Sequence, residues 1–201
     1  MGLRSDVSIA SRLRSWALPA GLAAVAVAAQ AAGIAGAWRY ERAGLAAGEW
    51  WRLVTGHAVH LGWSHVVLNL AGLGLVWLLV GSALGALEWG LVLAASLVAM
   101  DAGFWFLAPG LAWYVGLSGL LHGLLAAGLL VSGATWPDRR VEAIVLGGLV
   151  AAKLAWETGV GPLPGSVEAS GGPVVVAAHL YGAVGGVAGG ALVLIRRRAG
   201  H

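Results

Sequence analysis

Long apolar runs, interrupted only at intervals by charge, constrain this chain more than any other feature. Of the 201 residues, 59% are hydrophobic and 10% are charged, whereas roughly a quarter of residues are charged in an ordinary soluble domain. A membrane-spanning helix needs about 20 apolar residues, so six crossings joined by short loops would use most of the chain. The sequence therefore predicts an all-α polytopic membrane protein in direct contact with a lipid bilayer.

Six apolar segments are bounded by charged residues, proline or tryptophan, and we predict one transmembrane helix in each. As domains, this gives a cytoplasmic N-terminal segment at 1–15, a six-helix membrane domain at 16–198 and a short tail at 199–201. The six segments are Trp16–Trp38, Gly56–Val80, Leu84–Leu107, Trp113–Gly133, Val141–Trp156 and Val174–Ile195.

Basic residues in the short connections predict the orientation in the membrane. With six crossings, three arginine clusters fall on one side, and basic residues are retained on the cytoplasmic side. We therefore expect both termini in the cytoplasm. The segment Arg39–Thr55 would then lie outside, where its arginines run against this rule. The three clusters are Arg4, Arg12 and Arg14; Arg139 and Arg140; and Arg196, Arg197 and Arg198.

A cleavable signal peptide is the alternative interpretation of residues 1–38, because basic residues there precede an apolar stretch. Its removal would leave five crossings and divide the arginine clusters between the two faces of the membrane. The six-crossing interpretation keeps the clusters together and is favoured for that reason.

Composition also excludes several classes of function. The chain has no cysteine, so disulfides and thiolate-bound zinc or iron–sulfur clusters are excluded. Its formal net charge is only +3, and the arginines adjoin apolar segments, which indicates membrane topology instead of nucleic-acid binding. We expect neither a nucleic-acid partner nor a cofactor.

Ser118 and His179 are polar residues in two apolar segments that we predict to enter from the same side. Each lies about five residues, or roughly 7–8 Å at 1.5 Å per residue, below its predicted outer end. A polar side chain at this depth costs a few kcal/mol and needs a reason. Close helix packing would place the hydroxyl within about 3 Å of the imidazole, as in a serine nucleophile with its general base. The small residues that would permit such packing are Gly116, Gly119, Gly123 and Ala127 on one helix and Gly182, Gly186 and Gly190 on the other.

His65 and Asn69 are the candidates for stabilising an oxyanion. They stand at i and i+4 on the second segment, so both side chains project from one helical face. The glycines Gly116 and Gly119 leave the backbone around Ser118 unobstructed, so that its N–H could join them. The sequence thus predicts nucleophile, base and oxyanion donors on three helices.

Each of these residues also has a structural interpretation. A serine in a membrane helix usually bonds to its own turn, and a lone buried histidine is often only packed. His122, one turn after Ser118, either hydrogen-bonds near the site or is a packed core residue. His57, His60 and His65 could bind a metal, but helical spacing would turn His65 away from the other two.

Four further charged residues lie in or near the apolar segments. Lys153 and Glu157 are spaced i, i+4, and we interpret them as a structural ion pair. Glu88 and Asp101 lie near predicted helix ends within reach of water, and we assign them no chemistry.

Three motifs of the chain resemble those of the rhomboid intramembrane serine proteases, in the same order and on the second, fourth and sixth helices. The resemblance covers about Glu49 to Gly190 and implies that Ser118 is the nucleophile and His179 the base. It also implies that His65 and Asn69 are oxyanion donors, with His60, His122, Gly116 and Gly119 as neighbours. The motifs are His60-Leu-Gly-Trp-Ser-His65-Val-Val-Leu-Asn69, Gly116-Leu-Ser118-Gly119 and Ala178-His179-Leu-Tyr-Gly182-Ala-Val-Gly-Gly186.

Departures from the usual rhomboid pattern resemble the rhombosortase subfamily. His122 stands where rhomboids usually carry tyrosine, and the first outer loop is short. The motifs that carry this second resemblance are Gly48-Glu49-Trp50-Trp51-Arg52-Leu53, Ser118-Gly-Leu-Leu-His122-Gly123 and Lys153-Leu-Ala-Trp156-Glu157.

Rhombosortase-like function would be cleavage of exported proteins near a C-terminal Gly-Gly motif that precedes a membrane helix and an arginine-rich tail. The resemblance implies a bacterial inner membrane, with the active site toward the outer face. The alternatives are a general rhomboid protease acting on other single-span proteins, a non-catalytic rhomboid-like protein that binds membrane helices, and a histidine-lined path for a small solute. The sequence does not determine the oligomeric state.

Overall fold

The computed structural model of the chain describes residues 16–200 and is built almost entirely of helices. The predicted cytoplasmic segment 1–15, with Arg4, Arg12 and Arg14, lies outside the described residues, as does His201 of the predicted tail. In chain order the elements are α1 (Ala17–Ala31), α2 (Ala35–Trp38), β1 (Tyr40–Glu41), α3 (Arg42–Ala46), α4 (Arg52–Thr55), α5 (Trp63–Val80), α6 (Ala86–Ala102), a π-helical turn (Gly103–Leu107), β2 (Trp113–Tyr114), α7 (Ser118–Thr135), a 3-10 turn (Pro137–Arg139), α8 (Arg140–Gly159), α9 (Ser166–Ser170) and α10 (Val176–Ala199).

Four of the described helices are long and apolar enough to cross a membrane, two fewer than predicted. The first predicted crossing is broken at Gly33, whose positive φ of 65° separates α1 from α2. The fifth, α8, has 20 residues but carries four charged side chains along its length, which lowers its apolar character. The four helices are Trp63–Val80, Ala86–Leu107, Ser118–Thr135 and Val176–Ala199.

The second and fourth predicted helices begin later than their apolar segments do. Residues 56–62 are irregular, so the prediction of a helix that begins at Gly56 was wrong, and the helical spacing assumed for His57 and His60 does not apply. Trp113 and Tyr114 pair antiparallel with β1, and α7 begins only at Ser118. Ser118 is therefore the first residue of its helix.

Close backbone contact between α7 and α10 forms the centre of the fold. A Cβ atom added at Gly182 would lie 2.0 Å from the carbonyl oxygen of Gly119, and one added at Gly186 would lie 2.0 Å from that of Gly123. Only glycine permits this approach. The predicted meeting of the two small-residue stripes is confirmed, except that Gly116 lies before α7 and packs elsewhere.

Arginines of the first loop bond to main-chain carbonyls. Arg42 donates from Nη2 to the Ala108 carbonyl at 3.1 Å and from Nε to the Leu111 carbonyl at 3.3 Å, which caps the end of the π-helical turn. Arg52, only 7% exposed, donates from Nη1 to the Arg39 carbonyl at 2.9 Å. These bonds give Arg42 and Arg52 structural roles in a loop where the charge rule did not predict arginines.

Glu88 has a specific partner as well. Its Oε1 accepts a hydrogen bond from Arg197 Nε at 2.7 Å, although the sequence had indicated only contact with water. This ion pair joins the first turn of α6 to the last turn of α10.

Candidate active site

Ser118 and His179 meet at the ends of the two helices that glycine holds together. Ser118 Oγ lies 3.0 Å from His179 Nε2, which suits donation of the hydroxyl proton to the imidazole. Ser118 is the first residue of α7, and His179 lies in the first turn of α10. The glycine contact begins one residue beyond Ser118, so it fixes the helices close to this pair. The expected juxtaposition is present, and the catalytic role of the two residues stays a prediction.

The second ring nitrogen of His179 contacts a buried carboxylate on α8. His179 Nδ1 lies 2.8 Å from Glu157 Oε2, and the Glu157 side chain is 3% exposed. Lys153 Nζ lies 2.7 Å from the same oxygen. The predicted Lys153–Glu157 pair is therefore present, but its interpretation as purely structural omitted its third member, His179.

His122 packs directly on the imidazole of His179. The two rings stack with their centroids 4.3 Å apart and their planes 21° apart. His122 Nδ1 lies 2.8 Å from the Ser118 carbonyl oxygen, and since a carbonyl only accepts, Nδ1–H is the donor. His122 thus holds the plane of the His179 ring while it is itself bonded to the turn that carries Ser118.

Hydrogen bonding defines the tautomer of His65. The Leu61 N–H donates to His65 Nδ1 at 3.4 Å, so the ring proton is on Nε2 when the imidazole is neutral. The Nε2 edge faces Gly116, where a Cβ would lie 2.8 Å from His65 Cε1 and where φ is +125°. Glycine is required here by both conformation and space, and His65 Nε2–H is left as a donor beside the backbone that leads to Ser118.

The turn before Ser118 is held by Tyr114, whose hydroxyl donates to the Gly116 carbonyl at 2.6 Å. Complete burial raises the pKa of Tyr114, so the phenol stays protonated and keeps this bond. The first N–H groups of a helix have no partner within it, which leaves the Ser118 N–H available at the start of α7.

Asn69 is 4% exposed and donates from Nδ2 to the His65 carbonyl at 3.0 Å. An amide nitrogen carries two protons, so a second N–H is free for another acceptor. Asn69 and His65 each present one donor, and both line the same cavity; their role as oxyanion donors stays a prediction.

The side chains of the candidate residues Ser118, His179, His65 and Asn69 line one cavity of about 340 Å³. Its polar part is formed by α5, α7, α8 and α10. Ser166 and Ser170 of α9 and Leu163 of the preceding loop border it. A larger hollow of about 450 Å³ between α7, α8 and α10 is almost wholly apolar and contains none of the candidate residues. The polar residues that line the smaller cavity are His65, Asn69, Ser118, His122, Lys153, Glu157, Ser166, Ser170 and His179.

Comparison with known families decides the class of protein. Residues 47–196 match the model of the Rhomboid domain. The chain belongs to the rhomboid family. Members of this family are intramembrane serine proteases, although some are inactive. No curated protein and no solved structure matches the chain.

His60 lies behind His65 in the rhomboid domain and does not line the cavity. Its ring meets that of His65 edge-on at 4.9 Å, and both of its nitrogens are buried without a partner. Burial, followed by the neighbouring His65, lowers the pKa of His60 to about 4. His60 is therefore neutral at pH 7 and acts as packing for His65. Within residues 16–200 no three side chains converge as a metal site would require.

His57 and Asp101 form a separate contact of the rhomboid domain. His57 Nε2 lies 3.2 Å from Asp101 Oδ1, and the side chains are 2% and 15% exposed. The expectation that Asp101 reaches water at a helix end was wrong, because the π-helical turn continues the helix to Leu107. This pair ties the irregular segment before α5 to α6 and lies outside the cavity.

Glu157 is the site residue that sequence reasoning missed. It was treated only with Lys153, since four residues separate them, whereas 22 residues separate it from His179. The available signal was a carboxylate in an apolar segment whose helix must pack beside the helix that carries the predicted base, His179.

Proposed function

We propose that this rhomboid is an active intramembrane serine endopeptidase that uses Ser118 and His179. The observation that carries the proposal is the 3.0 Å approach of Ser118 Oγ to His179 Nε2 in a cavity that also holds His65 and Asn69. An inactive, helix-binding rhomboid would have no need for this set of aligned groups.

The reaction follows from the positions of these atoms. Ser118 Oγ attacks the scissile carbonyl carbon while its proton passes to His179 Nε2. The oxyanion is stabilised by donors from His65, Asn69 and the Ser118 N–H. The C–N bond then breaks as His179 gives the proton to the leaving amine. Water attacks the acyl-enzyme ester, loses a proton to His179, and that proton returns to Ser118 Oγ as the ester bond breaks.

For the substrate we propose exported proteins with a C-terminal Gly-Gly motif, a membrane helix and an arginine-rich tail. Support comes from the motifs that resemble rhombosortases, because two of the three meet in the same cavity through His122, Lys153 and Glu157.

We further propose that both termini are cytoplasmic and that the cavity opens toward the outer face of a bacterial inner membrane. The arginine clusters support that orientation.

Co-expression with a reporter tests the substrate proposal. We expect a secreted domain fused to a Gly-Gly, helix and arginine tail to lose that tail, with the new C-terminus near Gly-Gly by mass measurement. The matched control reporter carries Leu-Leu in place of Gly-Gly, and its cleavage should fall by at least about tenfold, since a change in side-chain size in a fitted pocket is worth roughly 1–3 kcal/mol.

Three results would distinguish the alternatives. Equal cleavage of both reporters would indicate a general rhomboid protease. Failure of a fluorophosphonate to label Ser118, together with intact reporters, would indicate a non-catalytic helix-binding protein. Solute flux in liposomes that survives Ser118→Ala would indicate a permeation path instead.

Asn69→Ala tests the oxyanion donors. We expect a loss of kcat on the order of 10²-fold with little change in KM, because one of several transition-state donors is removed. Asn69→Asp is the matched variant, since it keeps the shape of the side chain but has no Nδ2–H. Wild-type turnover by Asn69→Asp would contradict a donor role for this residue.

A further inference from the structure

The contact between His179 and Glu157 extends the catalytic arrangement beyond a dyad. We propose that Glu157 is the third member of a Ser–His–Glu triad, a positioning residue that fixes the orientation and tautomer of His179. This inference rests on the proposed protease function. Its geometric basis is a continuous chain of contacts, 3.0 Å from Ser118 Oγ to His179 Nε2 and 2.8 Å from His179 Nδ1 to Glu157 Oε2.

The tautomer of His179 decides whether it can act as a base. Two groups compete for Nδ1, the Glu157 carboxylate at 2.8 Å and Lys153 Nζ at 3.4 Å. An ammonium group only donates, so a bond from Lys153 would require a proton-free Nδ1 and would put the proton on Nε2, facing Ser118. The shorter contact with an acceptor-only carboxylate favours Nδ1–H, which leaves Nε2 free to receive the serine proton.

The charge balance around Glu157 explains how a carboxylate is accommodated here. Its side chain is 3% exposed, whereas that of Lys153 is 29% exposed, so Glu157 is the more deeply buried member of the pair. A buried charge is costly unless it is paired and hydrogen-bonded, and Glu157 Oε2 accepts from both Lys153 and His179. An exposed i, i+4 pair would support α8 without this burial. The position of the carboxylate is explained by its contact with the histidine.

Glu157 also has a part in the reaction itself. When His179 takes the proton of Ser118 it becomes an imidazolium ion, and the carboxylate 2.8 Å from Nδ1 stabilises that charge without moving. Stacked His122 holds the ring from its face, while Glu157 holds it from its edge. The two contacts leave the imidazole one orientation, with Nε2 toward Ser118.

Variants of Lys153 and Glu157 distinguish a role of Glu157 in positioning His179 from structural support of α8. We expect Glu157→Gln to lower kcat by about 10²–10⁴-fold with KM within a few-fold, because the amide can present a donor to Nδ1 and stabilise the wrong tautomer. Glu157→Asp keeps the carboxylate and should recover at least tenfold over the glutamine variant. Lys153→Met leaves the Glu157–His179 contact in place, so it should keep kcat within about tenfold while lowering the melting temperature. Glu142→Gln, at the other end of α8, is the control.

The measurements are kcat and KM on the Gly-Gly reporter in liposomes, with melting temperature in detergent. Wild-type kcat in folded Glu157→Gln, with Ser118→Ala inactive, would overturn the triad and leave the protease function standing. Full activity of Ser118→Ala would overturn the function itself. If Glu157→Gln does not fold, Glu157→Asp and Lys153→Met decide. A kcat of Lys153→Met within about tenfold of the wild-type value, despite a lower melting temperature, supports the triad. A loss of kcat greater than tenfold in Lys153→Met, matched by the same loss in Glu157→Asp, overturns it.

Discussion

Replacing Ser118 with alanine is expected to reduce processing of the Gly-Gly reporter to background. In soluble serine proteases, removal of the nucleophile lowers kcat on the order of 10⁶-fold, and no other hydroxyl lies against His179 Nε2 in the described chain. The substitution removes one oxygen atom and no packed carbon, so the melting temperature should change little. His179→Ala should lose nearly as much activity, since nucleophile and base act as a unit.

Ser132→Ala is the matched control for this experiment. It makes the same change on the same helix, at a buried hydroxyl that has no partner and does not line the cavity. We expect wild-type processing from it. Processing of the reporter by Ser118→Ala at the wild-type rate would refute the catalytic assignment, whatever the behaviour of the other variants.

Replacing Gly186 with alanine is expected to destabilise the protein strongly. The added methyl group would lie 2.0 Å from the carbonyl oxygen of Gly123, so α7 and α10 must separate. Overpacking in a tight core costs about 1–3 kcal/mol and at times more. Because the same contact positions Ser118 against His179, proteolysis should fall together with the melting temperature.

Gly90→Ala is the control for the glycine contact, because a Cβ atom at Gly90 on α6 meets nothing within 4 Å. Alanine is the better helix former by roughly 1 kcal/mol, so this variant should be as stable as the wild type or more so. A Gly186→Ala protein with unchanged melting temperature and activity would contradict close backbone packing between α7 and α10.

The central part of the fold could be predicted from sequence because its signals are periodic. Glycines spaced along α7 and α10 indicate which faces meet, and a helix places residues three and four apart on one side. His179 begins the glycine stripe on α10 and Ser118 flanks the stripe on α7, so their proximity followed from the pattern. The same reasoning placed His65 and Asn69 together on α5.

Other features depend on tertiary contacts that carry no local signal. Hydropathy does not distinguish a helical residue from an irregular one, so His57 and His60 were placed on a helix although α5 begins at Trp63. The break at Gly33 is also hidden within an apolar run. The Glu157–His179 contact depends on how α8 packs against α10, and the i, i+4 spacing directed attention to Lys153 instead.

The glycine contact between α7 and α10 has a consequence for substrate entry. Main chain presses on main chain there, with no side chain between that could change rotamer, so the two helices move as one rigid piece. For the proposed protease, the access route for a peptide must therefore open elsewhere. Helix α5 meets α7 through side chains such as Leu121, which lies 3.1 Å from the Cβ position of Gly72. Rotamer changes of such side chains can widen the space between these two helices. Opening on that side would leave Ser118 and His179 in contact during each turnover of the proposed protease.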